Sequence, residues 1–350
     1  MDRLSLADDP IGVFPRGYTA PRTTEQLTQY HKDHATRASV DPIIPMDNIK
    51  EKLKMIEEIR TGVLEDRRNK SKDFQFTYLE LAYFLLCSES SLRKVINNPS
   101  KVLQEDPIRD NLHRNDNSRG QSQDIDERIA QLEKGKKNLP QKNAEKEKCL
   151  LRDSFCCVFT QNDLPQVCQI LPFIATYGSW TFVQKSDASS CFHTILGAES
   201  WPEFDSLVSS GSDRCDKSWN MISLGPDLRD LWEEHFFGIQ CLGILPIDHQ
   251  ASAIWLQFHW MPRNQLDFEH RVELTTDTVQ RMLQIIPPGE NDLVEEYRSR
   301  THRPLKTGHI FSIRMGKQDA LSMKQVIDLR WLIVRIATIS GLARCLSFYK

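Results

Sequence analysis

The pieces CVFT (157–160), QILPF (169–173), WNMISLGPDLRDLW (219–232), FFGIQCLGIL (236–245) and WLQFHWMPRN (255–264) fall in order along the middle of the chain. CCVFT, QVCQILPF and IWLQFHWM are β-branched or aromatic and of strand length, so they are predicted strands. PDLRDLW has a different character. Pro226 suits a first helical turn, where its missing N–H costs nothing, and Asp227 complements the positive end of the helix dipole. The Ser-, Gly- and Asp-rich residues 187–217 read as a long surface insertion. Short strands around one short helix predict an α+β fold.

Working outward, the first forty-odd residues are punctuated by Pro10, Pro15, Pro21, Pro42 and Pro45 and show no sustained period. Residues 1–45 are therefore assigned as irregular and 46–100 as helical. Asp47 can cap a helix in which Ile49, Leu53, Ile56, Ile59 and Val63 recur at three- and four-residue steps. Gly62 weakens its last turn. A second helix, 76–86, is apolar nearly all round and should be buried. SESSLRKVINNP is a short capped helix stopped before Pro99.

From 101 to 148 aromatic residues vanish, and Asp, Asn, Gln, Glu and Lys dominate. DIDERIAQLEKGKK could turn Ile125, Ile129 and Leu132 to one side, but Gly135 and Pro140 end it, and the stretch reads as a solvated linker. The lysines of KGKK, QKN and EKEK could instead touch phosphates, a reading opposed by the glutamates between them. Beyond the central pieces, DTVQRMLQII is a helix closed by Pro287 and Pro288, GHIFSIR a strand, and SMKQVIDLRWLIVRIATISGLARCL a long helix packing on the core.

With 350 residues, 39% of them hydrophobic and 27% charged, the chain can bury a sizeable core. A net charge of −3 provides no global field to recruit nucleic acid. The start MDRLSLADDPIGVF lacks the apolar core of a secretory signal. WLIVRIATISGLA is too short for a bilayer, carries Arg335 and follows Asp328 and Arg330. Nine cysteines without a CxxC pair fit a reducing compartment. The expectation is a soluble intracellular protein, cytoplasmic or nuclear, with no membrane element.

The ordered set of motifs resembles the fungal HNH-endonuclease-like family. The pieces that carry the resemblance are Arg152 to Thr160, Cys168 to Phe173, Trp219 to Trp232, Phe237 to Ile239, Gln257 to Trp260 and the tail from Leu329 to Ala343. Together they cover roughly 150–345, which makes 149–346 the nuclease-like domain. The resemblance implies a ββα-metal core with added strands, N-terminal helices and a C-terminal packing helix. It also implies a histidine base at the end of the first strand, a structural asparagine in the loop, and a helix histidine on a divalent cation that polarises the scissile phosphate.

Carried over by position, the first histidine falls on Gln169, the asparagine on Asn220 and the helix histidine on Arg229. The motif is degenerate. Gln169 is a neutral amide that cannot take a proton from water, and Arg229 has five donors and no lone pair, so it cannot bind a metal. It can still grip a phosphate or carboxylate. Cys168 stands where many related nucleases place a metal carboxylate. His193, His235 and His259 are the histidines that could rescue the chemistry. Cys157, Cys168, Cys191 and Cys215 lack the short paired spacing of a zinc site.

Between Leu151 and Leu266 there are six Lys or Arg and thirteen Asp or Glu, a balance of −7. A domain gripping a polyanion clusters cations instead, and the fold could still gather Arg152, Arg214, Lys217, Arg229 and Arg263 on one side. Three readings follow. The first is a non-cleaving HNH-like protein that binds a nucleic acid or protein partner and needs no cofactor. The second is an active DNA endonuclease with a remodelled site, using Mg²⁺ or another divalent cation. The third is a retained scaffold in an unrelated role.

Overall fold

The structure, a computed structural model, describes residues 42–44, 46–65, 74–97, 139–171, 216–262, 264–283 and 305–343. Helix α1 (Ile49–Glu65) buries Ile49, Leu53, Ile56, Ile59 and Val63, as the spacing predicts. It starts one residue later than expected: the Lys52 N–H bonds the Asn48 carbonyl at 3.0 Å, which makes Asn48 rather than Asp47 the N-cap. Helix α2 (Tyr78–Leu86) opens with a capping box. The Thr77 hydroxyl accepts the Glu80 N–H at 3.2 Å, and the Glu80 carboxylate accepts the Thr77 N–H at 2.6 Å. Ser88 caps α3 (Glu89–Ile96) by accepting the Ser91 N–H. These helices bury one core.

The next element corrects the linker reading. Residues 101–138 lie outside the described residues, but 139–148 belong to a helix, α4 (Leu139–Arg152). Pro140 was expected to end a helix; it sits in the first turn of one, where a missing N–H is harmless. CCVFT is not a strand either. Cys156 makes a single bridge to Asp163, and residues 158–160 form a turn. Its apolar character reflects burial: the Phe159 ring sits edge-on to Phe237, Phe258 and Phe311, with centroids 5.7, 5.2 and 4.6 Å away. A short apolar run reports the core before it reports backbone conformation.

Strand β1 (Gln166–Gln169) then pairs antiparallel with β2 (Met221–Leu224), Gln169 opposite Met221. A 3₁₀ turn, Ser218–Asn220, precedes β2. Helix α5 (Pro226–Glu233) follows, with Pro226 in its first turn as expected. A separate antiparallel sheet has the order β3 (Phe237–Pro246), β4 (Ala251–Trp260), β5 (Ile310–Gly316). Helix α6 (Thr276–Leu283) joins the helical core, and α7 (Lys317–Ser340) runs from the sheet to that core. The fold is mixed α+β with small antiparallel sheets. Among the described residues no helix is long and apolar enough to cross a membrane.

Two glycines and one asparagine fix α7. A Cβ on Gly238 would stand 2.8 Å from the Trp331 ring, so only glycine lets α7 approach β3. Gly341, at φ +88°, ends the helix, and a Cβ there would lie 2.2 Å from the Leu266 carbonyl oxygen. Buried Asn264 donates to the carbonyls of Met282 and Ile339 at 3.1 and 2.8 Å, capping the ends of α6 and α7 together.

At the seam between the cores His259 is buried, its ring 4.7 Å from Trp331 and its Nε2 without a hydrogen-bond partner. Arg335 lies over the same indole and donates through Nε to the Ile43 carbonyl at 2.9 Å. Burial, then the nearby Arg335 charge, pulls the His259 pKa from 6.5 down to about 4. The unfolded chain therefore takes up a proton before the folded one does. Stability should fall as pH drops from about 6.5 to about 4, and the contribution should saturate below that. The expected loss is about 3 kcal/mol, read as the difference between wild type and His259→Phe in urea unfolding at pH 7 and pH 4.

Candidate functional site

Strand β1, the 3₁₀ turn that leads into β2, and helix α5 hold the three residues singled out in the sequence. Their frame comes from α4. Arg152 at its end donates to both Asp153 carboxylate oxygens at 2.7 and 2.8 Å and to the carbonyls of Ser218 and Met221, both at 2.8 Å. Asp153 in turn accepts the Ser223 N–H at 3.0 Å. Glu145 in the same helix accepts the Ser218 N–H at 2.9 Å. Arg152, counted in the sequence among cations that could face a polyanion, is instead spent inside the protein. Arg214 and Arg263 lie outside the described residues.

Asn220 is 1% exposed and works as a bracket. Its Oδ1 accepts the Leu171 N–H at 2.9 Å and its Nδ2 donates to the Leu171 carbonyl at 2.8 Å, across 49 residues of chain. The resemblance implies a structural asparagine in the loop. The observed use is to close the two ends of the excursion between the strands, so that Gln169 and Met221 stay in register.

Gln169 ends β1. Its Nε2 donates to Asp216 Oδ1 at 2.6 Å, and its carbonyl accepts the Trp232 indole N–H at 3.2 Å. Side chains alternate along a strand. Gln166 and Cys168 therefore share the other face, the one that meets Arg229. The Arg229 guanidinium donates from Nη1 to Gln166 Oε1 at 2.5 Å and from Nε to Glu233 Oε1 at 2.9 Å. The bond to Glu233 raises the pKa of Arg229 further, so its charge is permanent. Gln169 and Arg229 thus belong to one hairpin–helix unit but turn to opposite sides of the strand.

The chemistry of this donor set does not suit the divalent cation that the resemblance implies. Arg229 has no lone pair to give. Burial pushes the Cys168 thiol up to about 12, which keeps it protonated, whereas the thiolate is the form that binds metals. Gln169 carries no proton-accepting group of useful basicity. Among the described residues no group of three or more His, Cys, Asp or Glu is placed to hold a metal.

The proposed rescuers sit elsewhere. His259 belongs to the seam against Trp331 on β4. His235 is buried just past α5 with φ 62°, its N–H on the Trp232 carbonyl. His193 is outside the described residues, as are Cys191 and Cys215 of the considered zinc quartet. Cys157 and Cys168 are both buried in the sheet core.

One residue of the frame went unread in the sequence. Arg330, on α7, lies over the Trp232 ring with its guanidinium carbon 4.8 Å from the centroid, and donates to the Trp232 carbonyl at 2.9 Å. Burial lowers its pKa to about 10, so it remains charged near neutrality. The last turn of α5 presents the negative end of the helix dipole to it, which offsets part of the burial cost. Trp232 is held from both sides, by Arg330 and by Gln169. The signal was present in LRW, an arginine beside a tryptophan in an otherwise apolar run.

Two substitutions test this frame by urea unfolding. Asn220→Ala strands the N–H and carbonyl of Leu171 in the interior and should cost about 3 kcal/mol. Arg330→Met keeps the volume and removes a buried cation whose burial cost the Glu233 charge offsets only in part, so stability should move by no more than about 1 kcal/mol. Arg330→Ala, which opens a cavity under Trp232, should cost about 3 kcal/mol. Comparison of the chain with family models, with curated proteins and with solved structures finds no match in any of the three.

Proposed function

We propose that residues 149–346 are an HNH nuclease-like domain with a ββα-metal-type core whose motif is degenerate, and that the protein binds a partner, or regulates one, without cutting. The observation that carries this reading is the fate of the two expected histidine positions. Gln169 is engaged with Asp216, and Arg229 with Gln166 and Glu233. Gln169 cannot take a proton from water, and Arg229 can neither take one nor bind a metal. The order of strand, buried asparagine, strand and helix supports the nuclease-like ancestry, because Asn220 still holds the two strands together.

The partner, on this reading, is another protein or a nucleic acid met inside the cell. The balance of −7 between Leu151 and Leu266, with Arg152 turned inward, favours a protein.

Incubation of supercoiled plasmid with Mg²⁺, Mn²⁺ or Zn²⁺ tests the reading. Wild type should leave the plasmid intact, since loss of a general base alone costs about 10²–10⁴ in rate and a second essential group is missing as well. Nicking regained by the reverted pair Gln169→His, Arg229→His would support the nuclease-like ancestry. Nicking by wild type that Asn220→Ala abolishes would overturn the non-cleaving reading.

A further inference from the structure

We propose that the Arg229 guanidinium has taken the electrostatic place of a divalent cation in the hairpin–helix unit, which makes that unit a module that holds its shape without metal. This rests on the nuclease-like reading of the unit and concerns how it is now held together. A metal between a strand and a helix does two structural things: it supplies positive charge, and it ties groups from both elements to one point. Arg229 does both from the helix side.

The Arg229 Nη1 reaches across to Gln166 Oε1 on β1 at 2.5 Å, and Nε holds Glu233 Oε1 one turn along α5 at 2.9 Å. Both partners are acceptors, which is what a donor-only group requires. A metal at the same point would need several lone pairs directed at it, and the two oxygens there, Gln166 Oε1 and Glu233 Oε1, are already taken by the Arg229 donors. Here the strand offers the Gln166 amide oxygen and the buried thiol of Cys168. The substitution is consistent on both elements: the helix histidine has become a donor, and the facing strand presents a neutral acceptor. A planar guanidinium with fixed donors can serve as such a tie; a lysine ammonium has the charge without the fork.

Two properties follow. The unit is indifferent to chelators and to divalent ions, and any partner it binds is bound without a bridging metal. Arg229 is also the residue whose side chain, 43% exposed, would sit at the edge of such a contact.

Thermal unfolding of the full chain in EDTA and in millimolar Mg²⁺ or Mn²⁺ tests the proposal. Wild-type Tm should stay within about 1 °C across all three conditions. Arg229→Met should lower Tm by about 2 °C in EDTA, and Arg229→Lys should recover part of that. The double variant Cys168→Asp, Arg229→His, which restores a carboxylate facing an imidazole, should gain about 3 °C with Mn²⁺ over EDTA.

A metal-dependent rise in wild-type Tm overturns the proposal. So does an Arg229→Met protein as stable as wild type, and so does a folded double variant indifferent to Mn²⁺. These outcomes are separate from the cleavage test. A wild type that is stabilised by Mn²⁺ yet leaves plasmid intact refutes the built-in cation alone. One that nicks DNA in EDTA refutes only the non-cleaving reading.

Discussion

Helix α7 has to satisfy two hydrophobic cores at once, and the rest of the architecture is arranged around that constraint. Its first half buries Met323, Val326 and Ile327 with the sheet, and Ile339 near its end belongs to the helical core. Between them Trp331 and Val334 pack at the seam with Met261. A helix serving two surfaces must approach both at van der Waals distance. That is why β3 carries glycine at position 238 and why the helix stops at a left-handed glycine. Asn264 then ties the ends of α6 and α7 with one amide, so the second core cannot slide relative to the first.

The hairpin–helix unit is held differently, by polar groups taken out of water. Arg152, Asp153, Glu145 and Asn220 satisfy backbone groups of the segment 171 and 218–223 that no regular ladder reaches. A buried polar group stabilises only when its partners are complete, so each clamp also fixes geometry closely. This has a functional consequence. Arg152, a cation that a nucleic-acid site could present outward, is directed inward as a structural tie.

The candidate site sits where the two systems meet. Trp232 receives Arg330 from α7 and gives its indole N–H to the end of β1, so the helix that carries Arg229 is referenced to both the long helix and the strand. Strand alternation then separates the roles of neighbouring residues. Cys168 looks toward Arg229 while Gln169 looks toward Asp216, although they are adjacent in sequence.

The sequence by itself determined the elements whose signals are local. The spacing of Ile49 to Val63, the apolar helix that follows Phe76, Pro226 at a helix start and the strands around Phe258 and Ile313 each depend on residues within a few positions of one another. That Gln169 has no basic group and Arg229 no lone pair was legible too, because this follows from functional groups alone. What only the tertiary structure decided was every partner far away in the chain. Pro140 could be read as a stop or a start, and the choice rested on where α4 packs. CCVFT had the composition of a strand and became a buried turn because Phe159 fills the centre of the sheet core. Arg152 looked like a surface cation, Asn220 like a loop residue and Arg330 like a charge that merely forbade a membrane span. Their partners lie tens of residues off, and hydrogen-bond geometry over such distances is set by packing, which no local pattern encodes.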